Sequence, residues 1–168
     1  ARRAGPLGRA RRADGAMIAH ACVADRPWLL CINLQREYAT PGRPLHAPHS
    51  ALIVARAQAC LSRARQGGWR IAHVQARPQR LANEQLFARP IEGLEPSPSE
   101  PVFRIEQRSA LSHVGLCAQL REARPRAIYL VGFCLAHEGL ATLFQATDLG
   151  LPARVVEGAA GSHAIGDR

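Results

Sequence analysis

Lysine is missing from this sequence: all 22 basic residues are arginine, set against 13 acidic ones for a formal charge of +9. Uniform arginine beside abundant alanine, glycine and proline reflects a coding bias as much as an electrostatic design. Five of the arginines (Arg2, Arg3, Arg9, Arg11 and Arg12) fall in a Gly/Ala/Arg tail ahead of Met17, a candidate start of the protein. Taking away that tail and its Asp14 lowers the charge to +5, spread along the chain. Aromatic residues are scarce at 5%, whereas nucleic-acid binding relies on clustered arginine interleaved with stacking rings. Specific nucleic-acid binding is therefore not expected.

No apolar run approaches the roughly 20 residues that cross a bilayer, so a soluble chain without membrane partners is expected. No apolar segment of signal-peptide length follows the arginine tail either, which argues against export. The five cysteines (Cys22, Cys31, Cys60, Cys117 and Cys134) are an odd number at irregular spacings without a Cys-x-x-Cys pair. That excludes a zinc knuckle and a thioredoxin-like redox motif. Cys31, Cys60 and Cys117 lie inside apolar patterns, where cysteine acts as a small buried hydrophobe, and a reducing cytoplasm is the expected compartment. An internal repeat and a phosphate-binding Gly-rich fingerprint are also missing.

What is present is enough for one globular domain: 168 residues, 47% of them hydrophobic. Residues 1–16 are expected as a disordered tail and residues 17–168 as the domain. Trp28 to Leu34 is an apolar run of strand length, and the Pro/Gly-rich stretch from Tyr38 to Pro48 is loop. From Ser50 the period changes, because Ile53, Ala57, Cys60, Leu61 and Ala64 recur at helical spacing. Ser50 is the expected N-cap and Gly67-Gly68 the stop. Strands are expected at Trp69–Val74, Val102–Ile105, Ala127–Val131 and Ala153–Glu157. Helices are expected around Leu116–Leu120 and from Glu138 to Asp148, with a long Pro-rich loop over Arg77–Pro101.

Strands alternating with helices imply βαβ crossovers and a mostly parallel sheet covered on both faces, a three-layer α/β/α fold of Rossmann-like topology. Ligands in such folds bind beyond the carboxyl ends of the strands. That rule points to Asn33 and Gln35 after the first strand, to His73–Gln75 after the second, and to Phe133–Glu138 after the fourth.

Three segments in order resemble the isochorismatase-like cysteine hydrolases over roughly residues 27–160. Leu29-Leu-Cys-Ile-Asn-Leu-Gln35 is similar to that family's opening strand, which ends in an apolar residue, Asp, any residue and Gln. Val102 to Leu111 resembles the strand that carries the catalytic Lys ahead of a Ser-Ala-Phe sequence. Tyr129 to Thr142 resembles the strand, glycine and loop leading to a nucleophilic Cys at a helix start, with a Thr one turn later. The resemblance implies an Asp that acts as general base, a Lys that stabilises charge, and a Cys that attacks an amide carbon to form an acyl-enzyme.

All three chemical positions are changed. Asn33 stands in place of the Asp, Ile105 in place of the Lys, and Glu138 in place of the Cys. Asn takes up no proton at neutral pH, Ile stabilises no charge, and a carboxylate is a poor substitute for a thiolate. The family's amidase mechanism is not expected to operate. Members of the nicotinamidase type bind a metal through a carboxylate and histidines after the second strand. Ile71–Arg77 lacks that pattern, so neither metal nor cofactor is expected.

Asn33 reads as a substrate contact or as a local backbone bond. Glu138 reads as a site carboxylate or as a charge favoured by the first turn of a helix. His137 is an acid/base candidate against a satisfied structural histidine. Cys134 lies close to the expected pocket but off the nucleophile position, as a structural thiol would. Arg104 and Arg108 flank the vacated Lys position, but strand alternation keeps both off the side of Ile105 unless a bulge intervenes. With Gln35, these are the candidate binding residues. The leading expectation is a small-molecule site on a degenerate hydrolase scaffold. The alternative is a non-catalytic binding or assembly subunit, since family members commonly form oligomers. The chain also ends soon after Ser162, where many relatives continue into another helix.

Overall fold

The computed structural model describes residues 25–76 and 84–163. The arginine-rich tail, Cys22, Arg77 and Arg80 lie outside the described residues. The elements run β1 (Trp28–Ile32), α1 (Arg36–Ala39, a single turn), α2 (Ser50–Gln66), β2 (Arg70–Ala76), α3 (Glu84–Phe87, a single turn) and β3 (Val102–Ile105). A 3-10 turn (Ala110–Ser112) leads into α4 (Val114–Ala123) and β4 (Ile128–Gly132). A π-type turn (Leu135–Gly139) then runs straight into α5 (Leu140–Asp148), and β5 (Ala153–Ala160) follows.

All four strand pairings are parallel, in the order β3-β2-β1-β4-β5. The central strand β1 is buried at all five residues, as its unbroken apolar run requires of a strand covered on both faces. Alternation divides it between two cores. Leu29 and Cys31 pack with Ile71 and Val131 under α2, while Trp28, Leu30 and Ile32 pack with Ala72, Ile128 and Leu130 under α4 and α5. The sheet is therefore sandwiched, a three-layer α/β/α arrangement.

Helix α2 presents Ile53, Ala57, Leu61 and Ala64 to the first core, one stripe at helical spacing. Burying Ile53 and Leu61 contributes about 1.5–3 kcal/mol each. The helix starts where the sequence places it, but His49 in the left-handed region (φ 58°) is the N-cap, and Ser50 is already helical. Gly68 ends it at φ +62°, and the Trp69 N–H returns to the Ala64 carbonyl at 2.9 Å. Cys60 and Cys117 are half-buried, not core residues like Cys31.

The strand order turns back between β1 and β4. The first crossovers build outward on one side of β1 and the later ones on the other, so the carboxyl ends of β1 and β4 diverge into separate loops. Gly132 makes the close approach of these two ends possible. It sits at φ +117°, and a Cβ there would stand 2.0 Å from the Ile32 carbonyl oxygen. No helix among the described residues is long and apolar enough to cross a membrane.

Candidate small-molecule site

The two loops at this turning point carry two of the three replaced residues, Asn33 and Glu138. Strand β1 stops at Ile32 because Asn33 enters the left-handed region at φ 51°, while its N–H still bonds the Val74 carbonyl at 2.8 Å. After β4, Cys134 is also left-handed at φ 62°, two residues beyond the end of the strand. Left-handed backbone at a non-glycine residue costs roughly 1–3 kcal/mol, and its concentration at adjoining strand ends marks a functional candidate. The Ile32 carbonyl accepts from the Phe133 N–H at 2.9 Å and fixes the two ends side by side.

Asn33 is fully buried, and Cys134 nearly so. Tyr38, Asn33 and Glu138 all reach the Cys134 sulfur. Burial first, and then the Glu138 carboxylate, push this thiol up to about 12. It stays protonated at neutral pH, as a structural thiol does. Burial, followed by the neighbouring Cys134, also drives the Tyr38 hydroxyl upward. The Tyr38 ring stacks on Phe133 at 5.8 Å and 10° between planes.

Gln35 lies two residues beyond Asn33, buried to 2% exposure. Its Nε2 donates to the Ala88 carbonyl at 3.1 Å, and its backbone forms an isolated antiparallel bridge with Pro90. The returning loop is thereby pinned beside the site. Its Oε1 is buried and accepts no hydrogen bond among the described residues. Glu138 is half-buried, and its Oε2 is likewise buried without a partner there.

Thr142 holds the Glu138 backbone. Its hydroxyl donates to the Glu138 carbonyl at 2.6 Å and accepts from the Ala110 N–H at 2.9 Å. One buried side chain thus joins the loop after β3 to the turn carrying Glu138. From the other side, the Leu135 N–H bonds the Gly161 carbonyl at 3.0 Å, and the Ala136 N–H bonds Ser162 Oγ at 2.6 Å. His137 stacks on His163 with centroids 5.4 Å apart and planes at 3°.

The remaining sequence-derived candidates scatter. Ile105 is buried to 2% within the second core, so the position of the cation has become packing. Strand β3 alternates as expected: Arg104 is exposed on the face opposite Ile105, and Arg108 is exposed beyond the strand. His73 does not follow β2. The strand runs on to Ala76, so His73 sits mid-strand under α2, where its Nε2 meets Glu100 Oε2 at 3.0 Å. Tyr38, Ser162 and His163 were not candidates, because they reach the site only through tertiary contact. No group of three His, Cys, Asp or Glu side chains converges as a metal site among the described residues.

An all-parallel sheet covered on both faces, with its strand order turning back between β1 and β4, defines a three-layer α/β protein of Rossmann-like topology. The Isochorismatase domain family matches residues 27–167, and the chain belongs to that family. Solved structures agree on the fold. An isochorismatase from Pseudomonas putida KT2440 superposes with a TM-score of 0.76 at 24% identity, over 86% of this chain and 75% of that one. An isochorismatase-like hydrolase from Alkaliphilus metalliredigens gives 0.73 at 17% identity, over 83% and 84%. N-carbamoylsarcosine amidase from Thermoplasma acidophilum gives 0.69 at 18% identity, over 84% and 86%. No curated protein matches the sequence.

Proposed function

We propose that this chain is an isochorismatase-family protein whose crevice binds a small molecule, with any turnover proceeding without a cysteine nucleophile. One observation carries the reading. At the ends of β1, β3 and β4, where the resemblance calls for Asp, Lys and Cys, stand Asn33, Ile105 and Glu138. The only thiol beside them, among the described residues, is Cys134, which burial keeps protonated. A protonated buried thiol is no nucleophile, and an amide side chain is no general base. What remains at these strand ends is a set of buried or half-buried polar side chains, Asn33, Gln35 and Glu138, suited to recognition.

The experiment is a hydrolase screen on purified protein over amides, vinyl ethers and esters, with Asn33→Ala and Glu138→Gln beside it. Turnover lost in either variant shows a rewired active site. Silence from folded protein moves the assignment to the second reading, a non-catalytic binding or assembly subunit. Leu140 and Phe144, one turn apart on α5 and 42% and 69% exposed, favour that alternative as an unpartnered apolar strip.

A further inference from the structure

We infer that the chain has a second ligand site, at the amino end of its sheet, which takes a small aromatic anion. The ring of the ligand lies against two indoles and its charge on Arg70.

A cavity of about 360 Å³ lies between the starts of β1 and β2 and the segment leading into β3, with Trp28, Trp69, Arg70, Ser99, Glu100 and Gln119 in its lining. That volume falls within the range of about 300–1,000 Å³ typical of small-molecule sites. All strands are parallel, so this is the end of the sheet opposite Asn33 and Glu138. Both tryptophans of the chain line it. Trp28 is sealed into the second core, and Trp69 stacks on Tyr129 at 5.2 Å. Two rings held in place before a ligand arrives offer flat apolar surface at little cost in side-chain entropy.

The unspent charge sets the sign of the ligand. Two charged side chains line the cavity, Arg70 and Glu100. Glu100 is committed: Arg65 Nε and Nη2, the Ser97 N–H and His73 Nε2 all reach it within 3.0 Å. Arg65 also balances its charge. Arg70 is exposed, with its guanidinium 5.6 Å from the centre of the Trp28 ring. Its side chain makes no hydrogen bond or ion pair among the described residues. The five N–H donors of that guanidinium are therefore available, and a carboxylate or phosphate takes two of them at once. A cationic ligand would find no uncommitted carboxylate in the lining. Ser99 and Gln119, both exposed, add neutral hydrogen-bonding groups at the rim.

Tryptophan fluorescence of the full chain reads this cavity, because no tryptophan lies elsewhere. Phenylacetate, phenyl phosphate, benzyl alcohol, benzylammonium and acetate are titrated at pH 7. The better of the two aromatic anions is expected to shift the emission and to bind at least about tenfold tighter than the alcohol, the amine or ringless acetate. Which anion leads tells carboxylate from phosphate. Arg70→Gln is expected to weaken that anion by about tenfold or more, while Arg89→Gln, the loss of an exposed arginine outside the cavity, leaves it unchanged. Equal or tighter binding of the amine, the alcohol or acetate overturns the inference, as does anion binding that survives Arg70→Gln. Silence of both aromatic anions on folded protein overturns it too. None of these outcomes bears on the small-molecule reading of the β1 and β4 ends. Where Arg70→Gln does not fold, the ranking of the five probes on the wild-type chain decides the matter alone.

Discussion

Glu100→Gln is the perturbation whose cost the structure specifies most fully. Glu100, only 6% exposed at its side chain, receives Arg65 Nε at 2.8 Å and Nη2 at 2.9 Å. It also takes the Ser97 N–H at 3.0 Å and His73 Nε2 at 3.0 Å. Burial raises its carboxyl, but the Arg65 guanidinium, Ser97 and His73 outweigh that and hold it at about 2, against an ordinary 4.5. At about 1.4 kcal/mol per unit, the ionised form is favoured in the fold by roughly 3 kcal/mol. Glutamine keeps the volume and part of the hydrogen bonding, so the expected loss at pH 7 is about 2 kcal/mol.

A depressed carboxyl contributes its stability above its unfolded value and loses it as pH falls through the folded one. The gap between wild type and variant is therefore full at pH 7 and closes between about pH 5 and pH 2. Burial lowers His73, with Glu100 opposing, so its acid loss below its ordinary 6.5 runs in the same sense in both proteins. Urea unfolding of the two proteins at pH 7, 4 and 2.5 measures the gap. A gap that does not narrow with acid, or no gap at pH 7, refutes the electrostatic reasoning.

Gly132→Ala forces a Cβ to 2.0 Å from the Ile32 oxygen at φ +117°. It is expected to cost more than about 3 kcal/mol, or to abolish folding, as read from the denaturation midpoint. Cys31 and Cys134 are buried and pushed upward by burial, whereas Cys60 and Cys117 are half-buried, burial raising Cys60 as well. Iodoacetamide at pH 7.5 followed by peptide mass spectrometry is expected to label Cys117 and Cys60 before Cys31 and Cys134. Early labelling of Cys134 would contradict the protonated-thiol assignment.

Much of the fold is legible from period and punctuation. The switch from strand to helical spacing at Ser50, the glycine pair at Gly67-Gly68 and the apolar runs of β1 and β4 all reappear as built. The errors cluster at ends, where local geometry competes with pattern. Left-handed Asn33 stops β1 two residues before the apolar run does, and left-handed His49 takes the cap from Ser50. The helix expected from Glu138 begins at Leu140, behind a π-type turn that has no signature in residue spacing. Topology let the sequence place Asn33, Gln35, Cys134 and Glu138 near the ends of β1 and β4, where the structure has them. Tyr38, Ser162 and His163 were not placed, since only packing brings them there.

Strand β5 deviates from even pairing: Leu130 meets Val155, yet Gly132 meets Ala160. Five residues of β5 thus span what two cover on β4, and the surplus puckers out at Gly158, where a Cβ would collide with the Arg56 guanidinium. A regular strand can slide along its neighbour in steps, trading one set of bonds for another. A strand with a pucker seated under a helix cannot, because the pucker and its socket match in only one alignment. The edge strand is keyed like a tooth in a ratchet, and the residues that follow it are delivered to the turn bearing Glu138 at a single, reproducible position.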